Sequence, residues 1–238
     1  VVVVDPLLAG RLADVDARID DAARRAGRDP GDVTRIVVTK FHPVSLIEEL
    51  AVLGVRDVGE NRQQELSGKV AELHSMREPP LRWHFIGQAQ ANKARAIRAA
   101  ASVVHSIDRE RIADAFDAAG QADGVDAAPL LDVLIQVNLT DDPARGGVRP
   151  DELEALATHV RGCRTLALRG VMAVAPLGEE PAAAFARLAG YSERLRTVAP
   201  DADWISAGMT ADFPAAISYG ATHLRIGSAI TGPRPARD

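Results

Sequence analysis

Hydrophobic and polar residues alternate along the chain in two distinct rhythms. Leu8, Leu12, Val15 and Ile19 recur at helical spacing over about residues 7–26, and Gly27 stands where such a helix ends. After this leading helix, short apolar runs trade places with amphipathic stretches. The runs fall at 35–40, 55–59, 83–87, 102–107, 131–139, 168–174, 203–207 and 222–227. Helical patterns lie between them at 44–53, 61–76, 89–100, 109–120, 150–161, 181–198 and 211–219, often opened by Pro, Asp or Ser and closed near Gly. Eight strands, each but the last followed by a helix, predict an α/β fold: a (β/α)8 TIM barrel with a leading N-terminal helix. The competing open doubly wound sheet needs a glycine-rich turn after its first strand, and Thr39-Lys40-Phe41-His42-Pro43 has none. The Pro/Gly/Asp-rich stretches at 77–80, 120–129 and 140–150 read as connections, so residues 1–238 form a single domain.

Composition agrees with this reading. Of the 238 residues, 47% are hydrophobic and only 4% aromatic, so small aliphatic side chains fill the interior, as suits helices packed on a parallel sheet. A net charge of -5 and the absence of a basic stripe argue against nucleic-acid binding. Val1 to Val4 are cut off by Asp5 and Pro6, and no later apolar stretch approaches membrane-spanning length. The single Cys163 excludes an internal disulfide framework and reads as a structural thiol. A soluble, cytoplasmic protein is the expectation.

Polar residues collect at the ends of the predicted strands, where barrels of this kind build their sites. In order these are Lys40, Gly59-Glu60-Asn61, His84-Phe85-Ile86-Gly87, His105-Ser106-Ile107-Asp108, Gln136-Val137-Asn138, Ser206-Ala207-Gly208-Met209-Thr210 and Arg225-Ile226-Gly227-Ser228. Lys40 is a lone amine at the mouth of the first strand, either a Schiff-base former or a surface charge. The segments after strands seven and eight sit where barrels bind phosphate, and Ser206, Gly208, Thr210, Gly227 and Ser228 offer hydroxyls and amides there. Taken singly, the glycines serve equally well as tight turns and Ser228 as a helix cap. An amine at one side and a phosphate site at the other fit pyridoxal 5'-phosphate (PLP), held at both ends. Arg225 is then placed to donate to the pyridine nitrogen, leaving that nitrogen unprotonated and the ring a weak electron sink. The six histidines, His42, His74, His84, His105, His159 and His223, show no metal-ligand spacing. His84 and His105 are expected to be strand-end hydrogen bonders.

These segments resemble the pyridoxal phosphate homeostasis protein family (YggS-like or PROSC-like), whose fold is the N-terminal barrel of alanine racemase. The likeness runs from Val37-Val38-Thr39-Lys40 to Gly232-Pro233-Arg234, and its most specific pieces are Val58 to Glu65, Trp83 to Lys93, His105 to Asp108, Ser206 to Asp212 and Arg225 to Ile230. The resemblance implies a PLP carrier, buffer or regulator that holds the cofactor as an aldimine on Lys40. It further implies phosphate contacts from Ser206, Thr210, Gly227 and Ser228, with Arg225 facing the pyridine nitrogen and Asn61 beside the ring. This chain has Phe41-His42-Pro43 where the family has Thr-Lys-Pro, Ala89 for a leucine, Thr231 for a phenylalanine, and Arg145-Gly146 for a lysine-glycine pair.

Two other functions remain in view. A PLP-dependent amino-acid racemase needs an acid/base on each face of the substrate, and Lys40 supplies one. The family's racemases bring a tyrosine from a second domain, which is not expected here, and Tyr191 and Tyr219 fall within predicted helices. A cofactor-free Schiff-base aldolase explains Lys40 and the phosphate loops but leaves Arg225 unused. The expected partners are PLP and PLP-dependent apoenzymes, with a monomer favoured over an obligate dimer.

Overall fold

In the computed structural model, which describes residues 2–73, 80–121 and 129–235, eight parallel strands close on themselves in chain order. They are β1 (Thr34–Val38), β2 (Asp57–Glu60), β3 (Arg82–Phe85), β4 (Val103–Ile107), β5 (Leu131–Gln136), β6 (Leu166–Met172), β7 (Trp204–Ser206) and β8 (His223–Ile226). The seam is a four-residue register from Thr34↔His223 to Val37↔Ile226. The expected TIM barrel is therefore present, its helices outside.

The helices are α1 (Pro6–Arg25), α2 (Val44–Val52), α3 (Gln63–Leu73), α4 (Ala94–Arg98), α5 (Glu110–Gln121), α6 (Leu153–Gly162), α7 (Pro181–Val198), α8 (Phe213–Ser218) and α9 (Ser228–Thr231). In α1 the Asp5 side chain caps Leu7 N–H, Pro6 opens the first turn, and the predicted stripe of Leu8, Leu12, Val15 and Ile19 is buried. That stripe docks against α8 and α9 beside the barrel seam.

The boundaries depart from expectation in ways that matter for the mouth. β1 stops at Val38, so Lys40 stands in a turn beyond the strand. The last strand is followed by a helix after all: at Gly227 (φ -108°, ψ -102°) the chain turns sharply into α9, which packs on α1 and β1. Arg11 of α1 pins this piece by donating from Nε to the Ile230 carbonyl at 2.7 Å. The expected helix 89–100 shrinks to a 3-10 turn at Ala91–Lys93 followed by α4. Residues 74–76 of another expected helix, His74 among them, and most of the connections 77–80 and 120–129 lie outside the described residues.

The main apolar core lies between sheet and helices, where Val37, Val58, Phe85, Val104, Ile135, Val171, Leu224 and Ile226 meet the helix stripes. The barrel's own interior is different. Its apolar part is a small cluster of Val103, Leu134 and Met172 with Trp204 against it. Strand alternation puts polar side chains beside them: His84, His105, Ser206, His223 and Arg225, every one buried.

Candidate functional site

The turn after β1 is organised by α3. Lys69 of α3, almost wholly buried, donates from Nζ to the Thr39 carbonyl at 2.9 Å and to Glu60 Oε1 at 2.6 Å. Thr39 Oγ1 donates to the same carboxylate oxygen at 2.6 Å. One turn earlier, Glu65 Oε2 accepts the Phe41 N–H at 2.8 Å. Phe41 adopts a left-handed backbone (φ 70°), the sole non-glycine residue to do so among those described. The result aims the exposed Lys40 away from the sheet into the mouth, with its ammonium 5.8 Å from the Phe41 ring. The guanidinium groups of Arg234 and Arg62 lie over that ring at 3.8 and 5.2 Å. Burial pushes the Glu60 carboxyl above its ordinary pKa, opposed by the Lys69 and Thr39 hydrogen bonds, while Glu60 Oε2 is buried with no partner among the described residues.

Asn61 follows β2, and its Oδ1 is likewise buried without a partner. Its position depends on Gly87, after β3. A Cβ there would stand 2.0 Å from the Asn61 carbonyl oxygen, so only glycine lets the two strand ends approach.

Across the barrel, Arg225 is 6% exposed and tied down on the β6 and β7 side. NH1 donates to the Ser206 carbonyl at 2.7 Å and to Ser206 Oγ at 2.6 Å, and NH2 donates to the Ala173 carbonyl at 2.8 Å. Burial lowers its pKa to about 10, partly offset by Asp212, so it remains a cation at neutral pH. Gly208 (φ 91°) makes the turn after β7: its carbonyl accepts from Arg225 N–H at 2.9 Å, and a Cβ would stand 2.8 Å from that of Ala216.

Lys40, Phe41, His42, Asn61, Gly87, Thr210, Arg225, Gly227, Ser228 and Arg234 line one open cavity of about 560 Å³, ample for a small cofactor. The structure thus gathers Lys40, Asn61, Thr210, Arg225, Gly227 and Ser228. It places the two other expected site residues elsewhere. Ser206 is fully buried beneath the cavity, its hydroxyl taken by Arg225 and His105, and Gly208 shapes the turn from behind. The reason is strand parity: Trp204 and Ser206 of β7, like His223 and Arg225 of β8, point into the barrel. His84 and His105 are also interior rather than strand-end groups, bonded to each other at 2.9 Å.

His42 joins the cavity wall, which sequence reasoning did not foresee. Burial, together with the charges of Lys69 and Arg11, lowers its pKa. Lys69 was equally missed, because a helical lysine reads as a surface charge until the buried Glu60 is placed beside it. Cys163 stays outside the site, its thiol pushed up to about 11 mainly by burial.

An amine and a fixed guanidinium facing one mouth cavity mark a TIM-barrel protein with a small-molecule site at the carboxyl ends of its strands. Residues 11–235 match the family of the alanine racemase N-terminal domain. A pyridoxal phosphate homeostasis protein of Pseudomonas aeruginosa is 41% identical over 227 residues, which cover 95% of this chain and 96% of that protein. Its namesake in Escherichia coli K12 is 38% identical over 230 residues, covering 95% and 97%. Among solved structures, PipY of Synechococcus elongatus PCC7942 without PLP superposes with a TM-score of 0.83 at 33% identity, over 94% of this chain and all of that one. The same protein with PLP bound gives 0.80. The chain belongs to the pyridoxal phosphate homeostasis protein family.

Proposed function

We propose that this protein binds pyridoxal 5'-phosphate reversibly and serves PLP homeostasis as a carrier or buffer. The observation that carries this reading is the pairing of Lys40 and Arg225 across one cavity, with the hydroxyls of Thr210 and Ser228 on its wall. The residues fit the cofactor: an exposed amine for its aldehyde, a cation whose bonds to Ser206 and Ala173 use three of five N–H donors, and a buried amide oxygen at Asn61 with no partner among the described residues. When bound, PLP supplies an aldehyde that condenses with amines and a ring that withdraws electrons.

Each residue then has a task. Lys40 offers the nucleophilic amine, on a turn held by Lys69, Glu60 and Glu65. Arg225 presents donors to the pyridine nitrogen and, having no acceptor, keeps a proton off it. Thr210, Gly227 and Ser228 take the phosphate. Ser206 acts from below, orienting Arg225 rather than touching phosphate. Among the described residues neither tyrosine lines the cavity, so a racemase's second acid/base is not supplied from Tyr191 or Tyr219. We assign the protein to holding the cofactor rather than turning over amino acids, as a monomer that passes PLP to apoenzymes.

The test is the absorbance spectrum of freshly purified protein. A yellow protein is expected, with the colour lost in Lys40→Ala. A protein that stays colourless after reconstitution with excess PLP, with Lys40 unmodified, would defeat this reading and favour a cofactor-free aldolase. Incubation of holoprotein with L-alanine in deuterated water separates carrier from racemase, since rapid α-hydrogen exchange with D-alanine formed would overturn the carrier.

A further inference from the structure

The barrel interior carries one unbroken line of hydrogen bonds, and with both of its imidazoles neutral the direction of every bond in it is fixed. Arg225 NH1 lies 2.6 Å from Ser206 Oγ, which lies 2.9 Å from His105 Nδ1. His105 Nε2 is 2.9 Å from His84 Nδ1, and His84 Nε2 is 2.8 Å from Asp57 Oδ1. Because β4 and β7 are not neighbours in the sheet, the bond between His105 and Ser206 can only cross the interior.

A guanidinium only donates, so Ser206 Oγ accepts from it and has its single hydrogen free for His105 Nδ1. At the other end a carboxylate only accepts, so His84 holds its proton on Nε2. Both rings are completely buried, and burial lowers the pKa of each, most strongly for His105, which also faces the charge of Arg225. A neutral ring has one donor and one acceptor; His84 Nδ1 therefore accepts, and His105 must donate from Nε2. Reasoning from the carboxylate end with neutral rings gives one arrangement, running from Arg225 through Ser206, His105 and His84 to Asp57, and the acceptor role of Ser206 toward Arg225 is compatible with it.

We propose that His105 and His84 are positioning residues that, through Ser206, lock the Arg225 guanidinium in the orientation it presents to the cavity. The role rests on the reading that Arg225 faces the pyridine ring of PLP. With neutral rings between its ends the line has a single satisfied arrangement, so the guanidinium cannot turn without leaving a buried group unpaired. Asp57 keeps 22% of its side chain exposed and anchors the far end beside water.

Histidine-selective 15N NMR of the ligand-free protein at pH 7 tests the line without any cofactor. Both His84 and His105 should show the Nε2–H tautomer; an Nδ1–H tautomer or a doubly protonated ring at either position would overturn the proposal. Two variants then test the consequence. His105→Asn keeps an acceptor for Ser206, whereas His105→Leu removes it. The leucine variant should weaken PLP retention about tenfold and shift the absorbance maximum, with the asparagine variant falling close to wild type. A folded leucine variant with unchanged affinity and spectrum sinks the proposal while leaving PLP binding intact. Correct tautomers in a protein that takes up no PLP sink the functional reading while leaving the line intact.

Discussion

The two sides of the mouth hold their cations in opposite ways. On the β1 side the working amine, Lys40, is exposed, and the buried amine beneath it, Lys69, is spent on the Thr39 carbonyl and Glu60. On the β8 side the working cation is itself buried, with Arg225 bonded to Ser206 and Ala173. One side gives a free nucleophile on a clamped turn; the other gives a fixed charge. Under the proposed carrier function this division is useful, because the covalent partner can move while the recognition element does not.

The contrast can be broken from either side. The largest effect is expected at the clamp: Lys69→Met strands the Glu60 carboxylate and should cost about 3–5 kcal/mol of stability in urea unfolding. A loss below about 1 kcal/mol would show that Glu60 escapes by taking up a proton or finding water.

The interior histidines give a separate, pH-dependent effect. His84, His105 and His223 all have folded-state pKa values lowered by burial, that of His223 to about 3. Unfolded, each titrates near 6.5, so below that pH the unfolded chain binds protons that the folded one refuses. Stability from this source is complete above about pH 6.5 and falls as pH drops toward each folded-state pKa, with a limiting slope of ~1.4 kcal/mol per pH unit for a ring that stays neutral, as His223 does to about pH 3. Urea midpoints should fall between pH 7 and 5, and His223→Leu should make that fall shallower. A flat profile would mean that these rings are charged in the folded state.

On the ligand side, Thr210→Ala combined with Ser228→Ala should weaken PLP retention by about 1–3 kcal/mol through lost hydrogen bonds to phosphate. Adding Ser206→Ala should change the spectrum more than the phosphate term. The smallest stability change belongs to Lys40→Ala, within about 0.5 kcal/mol in the ligand-free protein, although covalent retention disappears. A large loss of stability there would show that Lys40 belongs to the clamp after all.

The architecture was legible because each strand is a short apolar run bounded by turn residues, and Lys40 and Arg225 could be found by counting strand ends. What stayed hidden follows from parity and distance. Strand-end logic grouped Ser206 with Thr210 because they are close in sequence, yet the alternation along Trp204-Ile205-Ser206 turns Ser206 inward. The burial of Lys69 depends on Glu60, which sits on the neighbouring strand end nine residues earlier, and no helical pattern reveals it. The helix after β8 was missed because four residues are too few to show periodicity.

The chain has two tryptophans, and Trp204 packs in the barrel interior with its ring 4.3 Å from that of His223. Burial holds His223 uncharged down to about pH 3, so the indole keeps a neutral ring against its face at neutral pH. Its emission should therefore change when the barrel opens rather than when the folded protein titrates, with Trp83, which faces the outer helices, contributing to the same signal.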